Sequence, residues 1–547
     1  MTDSWSHETK GRISRRGFIN LVGRGAGAAG LYRTLNAMGV LTMPQANAQQ
    51  PQLPASSGRG RRVVIVGAGI AGMTTAYELG KAGYQCQILE ARERPGGRVW
   101  TIRGGDPITE IDSSQRVRWP RHRDLYFNAG AARLSHHHHG ILSYCREFGI
   151  PLEVFVNDNR AAFAQADGVA GGQPQPLRRL IADARGAIAA LAAKSVAPDD
   201  AHLLGYLAWF GALQEDMTYR GSDRAGFATP PEPDKAGVPL PPLPLDEIMR
   251  AGENVGVGTT FSELWDQSPT MLQPVGGMDA IPQAFARAVR PALTYHAEVV
   301  RLRRVGARAR VTWRDRKTGR QHEVDADFVV CTAPLTVLKD IDSDFIESLK
   351  MAIETGAALY IPAVKVAFYS GRRWWETEHR LYGGISWTSQ DITQMWYPTH
   401  GLGGRAGIVV GAYIWTSEIG RRFAAMTPGE RHVAAMADGE RLHAGYSSMV
   451  DRGASVAWSK IPYSLGGWIE WDDPGRREAY PVLLQGDGPF YFAGEHMSYN
   501  NGWQEGAVQS AHYTVGQIAE RVRTGRPAQR LAMPPVLAGP VPRRLPR

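Results

Sequence analysis

The 547-residue sequence predicts a two-domain α/β chain, α+β in its overall mix, with an open parallel sheet in one domain and a mixed sheet plus helices in the other. Three observations predict it. A strand–helix–strand pattern occupies residues 63–90, an alanine- and leucine-rich stretch at helical spacing runs from about Pro174 to Gly211, and strand character returns at Glu298–Trp313, Glu323–Cys331 and Val364–Phe368. At 43% hydrophobic residues such a chain can bury a large core.

The first element is the clearest. Val63–Val66 is apolar without alternation, as expected of a parallel strand buried on both faces. A glycine turn follows, then an amphipathic helix over Ala71–Ala82 and a second strand over Cys86–Glu90. Gly67, Gly69 and Gly72 form GxGxxG at the junction of strand and helix. The first makes a tight turn, the second lets backbone approach a pyrophosphate, and the third lets helix pack closely on strand. The helix N-terminus offers N–H groups to phosphate, and Glu90 at the end of the next strand can accept from ribose hydroxyls. The unit is Rossmann-like and predicts a bound dinucleotide.

Composition restricts the rest. The net charge is +9, but the first 48 residues hold six Lys/Arg against two Asp/Glu, which leaves +5 on the remainder. The arginines are scattered, "RVRWPRHRD" (Arg116–Asp124) reads as a solvated loop, and no nucleic-acid partner is expected. Cys86, Cys145 and Cys331 are few and far apart, so neither a disulfide framework nor a cysteine metal site is expected. "SRRGFIN" (Ser14–Asn20), a weakly apolar stretch and Ala46-Asn47-Ala48 resemble a twin-arginine signal peptide cleaved after Ala48. That implies the twin-arginine export machinery as a partner, and export of the folded chain to the periplasm or beyond. No later segment approaches the ~20 apolar residues that span a bilayer. "FATPPEPDKAGVPLPPLPLDE" (Phe227–Glu247) reads as a surface excursion, a lid or a plain linker, and residues 524–547 as an extended Pro/Arg-rich tail.

After Glu90 comes "EARERPGGRVWT", a second glycine pair and an arginine that an NAD site does not need. This stretch resembles the flavin amine oxidase (monoamine oxidase-like) family. The likeness recurs in family order at "PVGGMDAIPQAF" (Pro274–Phe285), "AEVVRL" (Ala297–Leu302), "DFVVCTAPL" (Asp327–Leu335), "AWSKIPYSLGGW" (Ala457–Trp468) and "YFAGEHMSYNNGWQEGAVQSA" (Tyr491–Ala511). The resemblance implies FAD, contacted by Ile70, Ala71, Glu90, Ala91 and Arg98, by the tetrad Gly130, Ala131, Ala132 and Arg133, by the backbone of Val299, and by Glu495 with Gly502, Trp503, Gln504, Glu505, Gly506 and Ala507. "GEHMSYNNGW" holds no cysteine, so the flavin is expected to be noncovalent. It also implies a discontinuous layout, with residues 61–130, 273–345 and 456–523 binding FAD, and 131–272 and 346–455 forming the substrate domain.

Within that family the resemblance is strongest to bacterial L-amino acid oxidases. An α-carboxylate buried beside flavin needs a bidentate cation, and guanidinium suits it by geometry and permanent charge. "FNAGAARLSHHH" resembles the oxidase segment that carries this arginine, which implies Arg133. "MWYPTH" resembles a strand whose tyrosine also reaches the carboxylate, which implies Tyr397; Trp468 and Trp503 are expected to flank the reacting carbon, and Gly502 to border the substrate. Lys365 in "PAVKVAFY" is a lysine among apolar neighbours, which either snorkels or, as the resemblance implies, lies beneath the flavin and holds a water used in reoxidation. The implied reaction is oxidative deamination of an L-amino acid, large apolar or aromatic, by O2. A 2-monooxygenase forming an amide, a primary-amine or polyamine oxidase, and a flavin-bearing binding protein are the alternatives, with a homodimer as one compatible assembly. The run His136–His139 points its imidazoles in different directions and is not expected to bind metal. It is read as capping or beginning the helix that follows, with other rings exposed or at the pocket entrance.

Overall fold

The computed structural model describes residues 50–526. The signal-like stretch with its cleavage site, and the tail beyond residue 526, lie outside the described residues. The expected unit is present as β1 (Arg62–Val66), α1 (Ile70–Lys81) and β2 (Gln85–Leu89). β1 is the centre of a five-stranded, all-parallel sheet in the order Leu293–Thr294, β2, β1, Phe328–Cys331, Phe490–Phe492. Its side chains divide between two cores. Val63 and Ile65 pack with Met73 and Leu79 of α1 and with Val508, Ala511 and Val515 of the helix Gln504–Thr524. Val64 and Val66 pack on the other face with Leu335, Leu349 and Ile353. Burial on both faces is the reason the strand shows no alternation.

A second sheet has seven strands in the order Gln175–Pro176, Phe163–Gln165, Gly384–Thr388, Gln394–Tyr397, Gly407–Ile414, Val364–Ser370, Asp451–Ala457. It is mixed: Phe163–Gln165 runs parallel to Gly384–Thr388, and the other pairs are antiparallel. One face packs on the helices Ser417–Ala425 and Pro428–Leu442 through Val364, Val366, Met395 and Tyr397. Side chains of opposite parity, among them Lys365 and Trp396, point the other way. The helical stretch expected near residue 174 is two helices, Leu177–Ala193 and Ala201–Gly211. The proline-dense segment is an exposed hairpin of Phe227–Thr229 with Val238–Pro239.

Residues 62–89, 293–294, 328–331 and 490–492 thus feed the parallel sheet, strands within 163–176 and 364–457 feed the mixed one, and 297–326 form most of a separate four-stranded sheet. Residues 51–526 belong to one compact unit. Between the sheets it leaves a large cavity.

Candidate active site

The cavity has a volume of about 820 Å³, within the range of cofactor and substrate sites, and lies at the carboxyl end of β1 as expected for an open parallel sheet. Its cofactor end is built from the glycine turn. Gly67 takes φ +104°, and a Cβ on Gly72 would lie 2.1 Å from the Gly67 carbonyl oxygen, so the helix can pack here only without a side chain. Gly72 does not itself line the cavity; it sets the distance between helix and strand. Gly69, Ile70 and Ala71 do line it. Glu90 is 4% exposed and shapes the loop, its carboxylate accepting from Ala68 N at 2.7 Å and Arg92 N at 2.9 Å. Each oxygen keeps a second lone pair for a hydroxyl.

Arg98 donates to Glu495 Oε1 at 2.7 Å and to the Gly467 carbonyl at 2.8 Å, and Glu495 Oε2 accepts from Gly502 N at 3.0 Å. One ion pair therefore ties the stretch after β2 to the C-terminal block across the cavity wall. A Cβ on Gly130 would lie 1.8 Å from the Arg98 carbonyl oxygen, so the tetrad 130–133 fits against this wall only with glycine at its head. Ala91, Ala131, Ala132, Val299 and Ala507 complete the lining. Val299 adjoins a register shift in its strand, where Val300 also reaches the cavity. Gln504 is 5% exposed, lines the cavity, and has no hydrogen-bond partner for either amide atom. Such orphaned polar atoms are rare unless a ligand satisfies them. Bare glycine backbone, a shaped carboxylate and an orphaned amide all fit a dinucleotide. Cys86, Cys145 and Cys331 are free thiols outside the lining, which fits noncovalent attachment.

The substrate end is different in kind. Arg133 lies over Trp396 at 4.7 Å, Trp503 at 5.4 Å and Phe261 at 5.7 Å. It donates from Nη2 to Gln267 Oε1 at 2.6 Å, its Nε has no partner, and no carboxylate lies within ion-pair distance of it among the described residues. Burial lowers its pKa, opposed by Tyr413 and Asp266. Lys365 is 3% exposed and donates to the Gly130 carbonyl at 2.7 Å and the Asn128 carbonyl at 3.2 Å, with Tyr413 beneath it at 4.5 Å. Burial, with the Arg133 charge second, pushes its pKa down to about 7. It is therefore a buried lysine and not a snorkelling one. Trp468, Gly502 and Trp503 share this wall, and Trp503 Nε1 donates to Asp266 Oδ2 at 3.0 Å.

Three expectations are corrected. Tyr397 is outside the cavity: its strand places Gln394 and Trp396 on the inner face and Met395 and Tyr397 on the outer one. Its hydroxyl is shared with Ser386 Oγ at 2.7 Å and His443 Nε2 at 2.6 Å. Tyr413, paired across the sheet with Lys365, is the tyrosine that faces Arg133. Glu505 does not line the cavity either. Its carboxylate accepts from Gly140 N at 3.0 Å and Ile141 N at 2.8 Å, capping the helix His139–Glu147 from another part of the chain. Gly506 is also outside, packed so closely that a Cβ would lie 2.3 Å from the Asn500 carbonyl oxygen and Ser498 Oγ.

The histidine run begins that helix at His139, and the residue before it, His138, makes no capping bond of its own. His138 accepts from Ser135 N through Nδ1 at 3.1 Å and meets Trp503 edge-on at 4.7 Å, while His137 lies against Trp265. Burial pushes His138 down to about 3 and His137 to about 4. Both buttress the aromatic wall as neutral rings. Sequence reasoning missed Phe261, Asp266, Gln267, Gln394, Tyr413 and Trp415 on the lining. Tyr413 and Trp415 stand two apart in "GAYIWT", a spacing that puts both on one strand face and was the available signal.

Comparison with known proteins agrees with this geometry. Residues 70–519 match the flavin containing amine oxidoreductase family. Flavin-dependent L-tryptophan oxidase RebO of Lentzea aerocolonigenes is 26% identical over 500 residues, covering 84% of this chain and 98% of that protein. The L-amino-acid oxidase of Siganus canaliculatus is 24% identical, covering 82% and 83%. Among solved structures, putrescine oxidase bound to putrescine superposes with a TM-score of 0.57 at 17% identity, over 84% of this chain and 99% of that one. Cyclohexylamine oxidase from Brevibacterium oxydans superposes with a TM-score of 0.55 at 17% identity, over 85% and 99%. These two show a shared fold. With a family match over most of its length and a cavity suited to a dinucleotide at its glycine turn, this chain belongs to the flavin containing amine oxidoreductase family, with noncovalent FAD as its cofactor.

Proposed function

We propose that the protein is an L-amino acid oxidase that takes large apolar or aromatic substrates. The observation that carries this reading is the Arg133 guanidinium, held among three aromatic rings, bonded to a neutral amide and paired with no carboxylate among the described residues. A buried charge left this way is expensive unless a ligand of opposite charge completes it. An amine without a carboxylate offers nothing for it to bind. The relatives named L-amino-acid oxidases support the same reading.

In this reading Arg133 grips the α-carboxylate through two parallel N–H bonds and fixes the Cα–H direction. Trp468 and Trp503 flank the reacting carbon, and Phe261, Tyr413 and Trp415 give the side chain an aromatic wall. Bound FAD supplies a two-electron acceptor, reoxidised by O2 to give hydrogen peroxide, so the amino acid leaves as a 2-oxo acid and ammonium after hydrolysis of its imine. Lys365, with a pKa near 7, holds or releases a proton at the cavity in the neutral range. The segment "SRRGFIN" supports export of the folded, FAD-loaded chain to the periplasm or beyond. The test is peroxide release by purified holoprotein on the common L-amino acids, their D-forms and a set of amines, with product mass distinguishing oxo acid from amide. Turnover of amines but of no amino acid would overturn the proposal.

A further inference from the structure

Resting on the amino acid oxidase reading, we propose that Gln267 is a positioning residue that selects carboxylated over uncarboxylated amines by holding Arg133 without neutralising it. Gln267 is 8% exposed, and its backbone carbonyl accepts from the buried Asn157 Nδ2 at 2.8 Å. Its Oε1 accepts from Arg133 Nη2 at 2.6 Å, and its Nε2 donates to Asp266 Oδ2 at 3.3 Å. The two contacts fix the amide orientation, because a flipped amide would set NH₂ against guanidinium and oxygen against carboxylate. Asp266 is thereby kept one side chain away from Arg133, and its Oδ2 is further engaged by Trp503 Nε1 at 3.0 Å.

The arrangement is a spacer. Glutamate has nearly the shape of glutamine and would sit on Arg133 as an anion, forming the strong charge-assisted pair that the site otherwise reserves for substrate. The amide supplies one hydrogen bond to aim the guanidinium and leaves its charge intact. Asp266 polarises the amide from behind, which strengthens that bond without bringing a negative charge into contact. The neutral side chain at position 267 therefore converts a buried arginine into a receptor for a carboxylate.

The experiment uses full-length holoprotein and compares the best L-amino acid of the panel with the amine made by removing its carboxylate. The readout is the ratio of their kcat/KM values. In Gln267→Glu this ratio falls at least 100-fold, chiefly through the amino acid KM, and recovers as pH is lowered and the new carboxyl is protonated. Binding of 3-phenylpropanoate, followed by its perturbation of flavin absorbance, weakens in parallel. Gln267→Met removes the hydrogen bond without adding charge and lowers the ratio about 10-fold, so it carries the test if Gln267→Glu loses FAD. A ratio within threefold of wild type in an FAD-retaining Gln267→Glu protein, or equal effects of the two substitutions, overturns the role of Gln267 alone. A wild-type protein that turns over both equally well overturns the selectivity alone, and one that turns over the amine but no amino acid overturns the oxidase reading and this inference with it.

Discussion

The two ends of the cavity handle charge in opposite ways. At the cofactor end Glu90 is bonded to two backbone N–H groups and Arg98 to Glu495, so charged groups are satisfied within the protein and their work is to fix the wall. At the substrate end Arg133 and Lys365 rest against aromatic rings, carbonyls and an amide, with no ion-pair partner for Arg133 among the described residues. The first end is complete in itself and holds a shape. The second leaves Arg133 without a carboxylate in direct contact among the described residues, and on the proposed reading the substrate supplies one.

The largest effect should come from removing that charge. Arg133→Met should lower kcat/KM for L-amino acids by about 10³-fold, as expected when one member of a buried charged pair worth roughly 4 kcal/mol is lost. Activity on the corresponding amine should fall far less, and steady-state kinetics on both substrates decides it. A loss equal for both would erase the distinction between the ends. Breaking the cofactor end should act on stability: Arg98→Met leaves Glu495 buried beside Gly502 N, and should cost about 3 kcal/mol and release FAD, measured by thermal unfolding and retained flavin absorbance.

Lys365 gives the next effect and has a defined pH dependence. Its folded pKa, about 7, lies below its ordinary value of 10.5, so between those values the unfolded chain binds more protons than the folded one. The lysine therefore destabilises the fold in full below pH 7, and the effect fades as pH rises toward 10. Lys365→Met should raise Tm most at pH 6, by on the order of a few kcal/mol in stability, with no gain at pH 10, while slowing reoxidation by O2. A gain independent of pH would show that the charge is not what is relieved. The smallest effect separates the two tyrosines. Tyr397→Phe should cost about 1 kcal/mol of stability from its hydrogen bonds to Ser386 and His443 and leave KM within twofold, whereas Tyr413→Phe should raise KM several-fold.

The cofactor end was legible in the sequence because it is local. Gly67, Gly69, Gly72 and Glu90 fall within one βαβ unit, and each residue type answers a steric or hydrogen-bonding need that spacing alone reveals. The substrate end was legible only in part. Arg133 and Lys365 could be singled out by chemistry and resemblance, but Tyr397 was misassigned because "MWY" carries no polar alternation to reveal which parity faces inward. Gln267 and Asp266 stand in a loop with no periodicity, and what brings them to Arg133 is the packing of a segment 134 residues distant. Glu505 was read as a cavity residue from the resemblance of its block, yet its own direction around its helix takes it to a different helix.

That direction bears on how the protein is made. The helix that follows the histidine run has its first amides held by a carboxylate 365 residues later in the chain, and the strand Phe490–Phe492 closes the parallel sheet from the same late region. The glycine turn emerges early in synthesis, but the wall that would enclose a dinucleotide against it emerges much later. Nascent chains stalled before residue 490 should therefore carry no FAD, so cofactor capture waits for the block at residues 490–511.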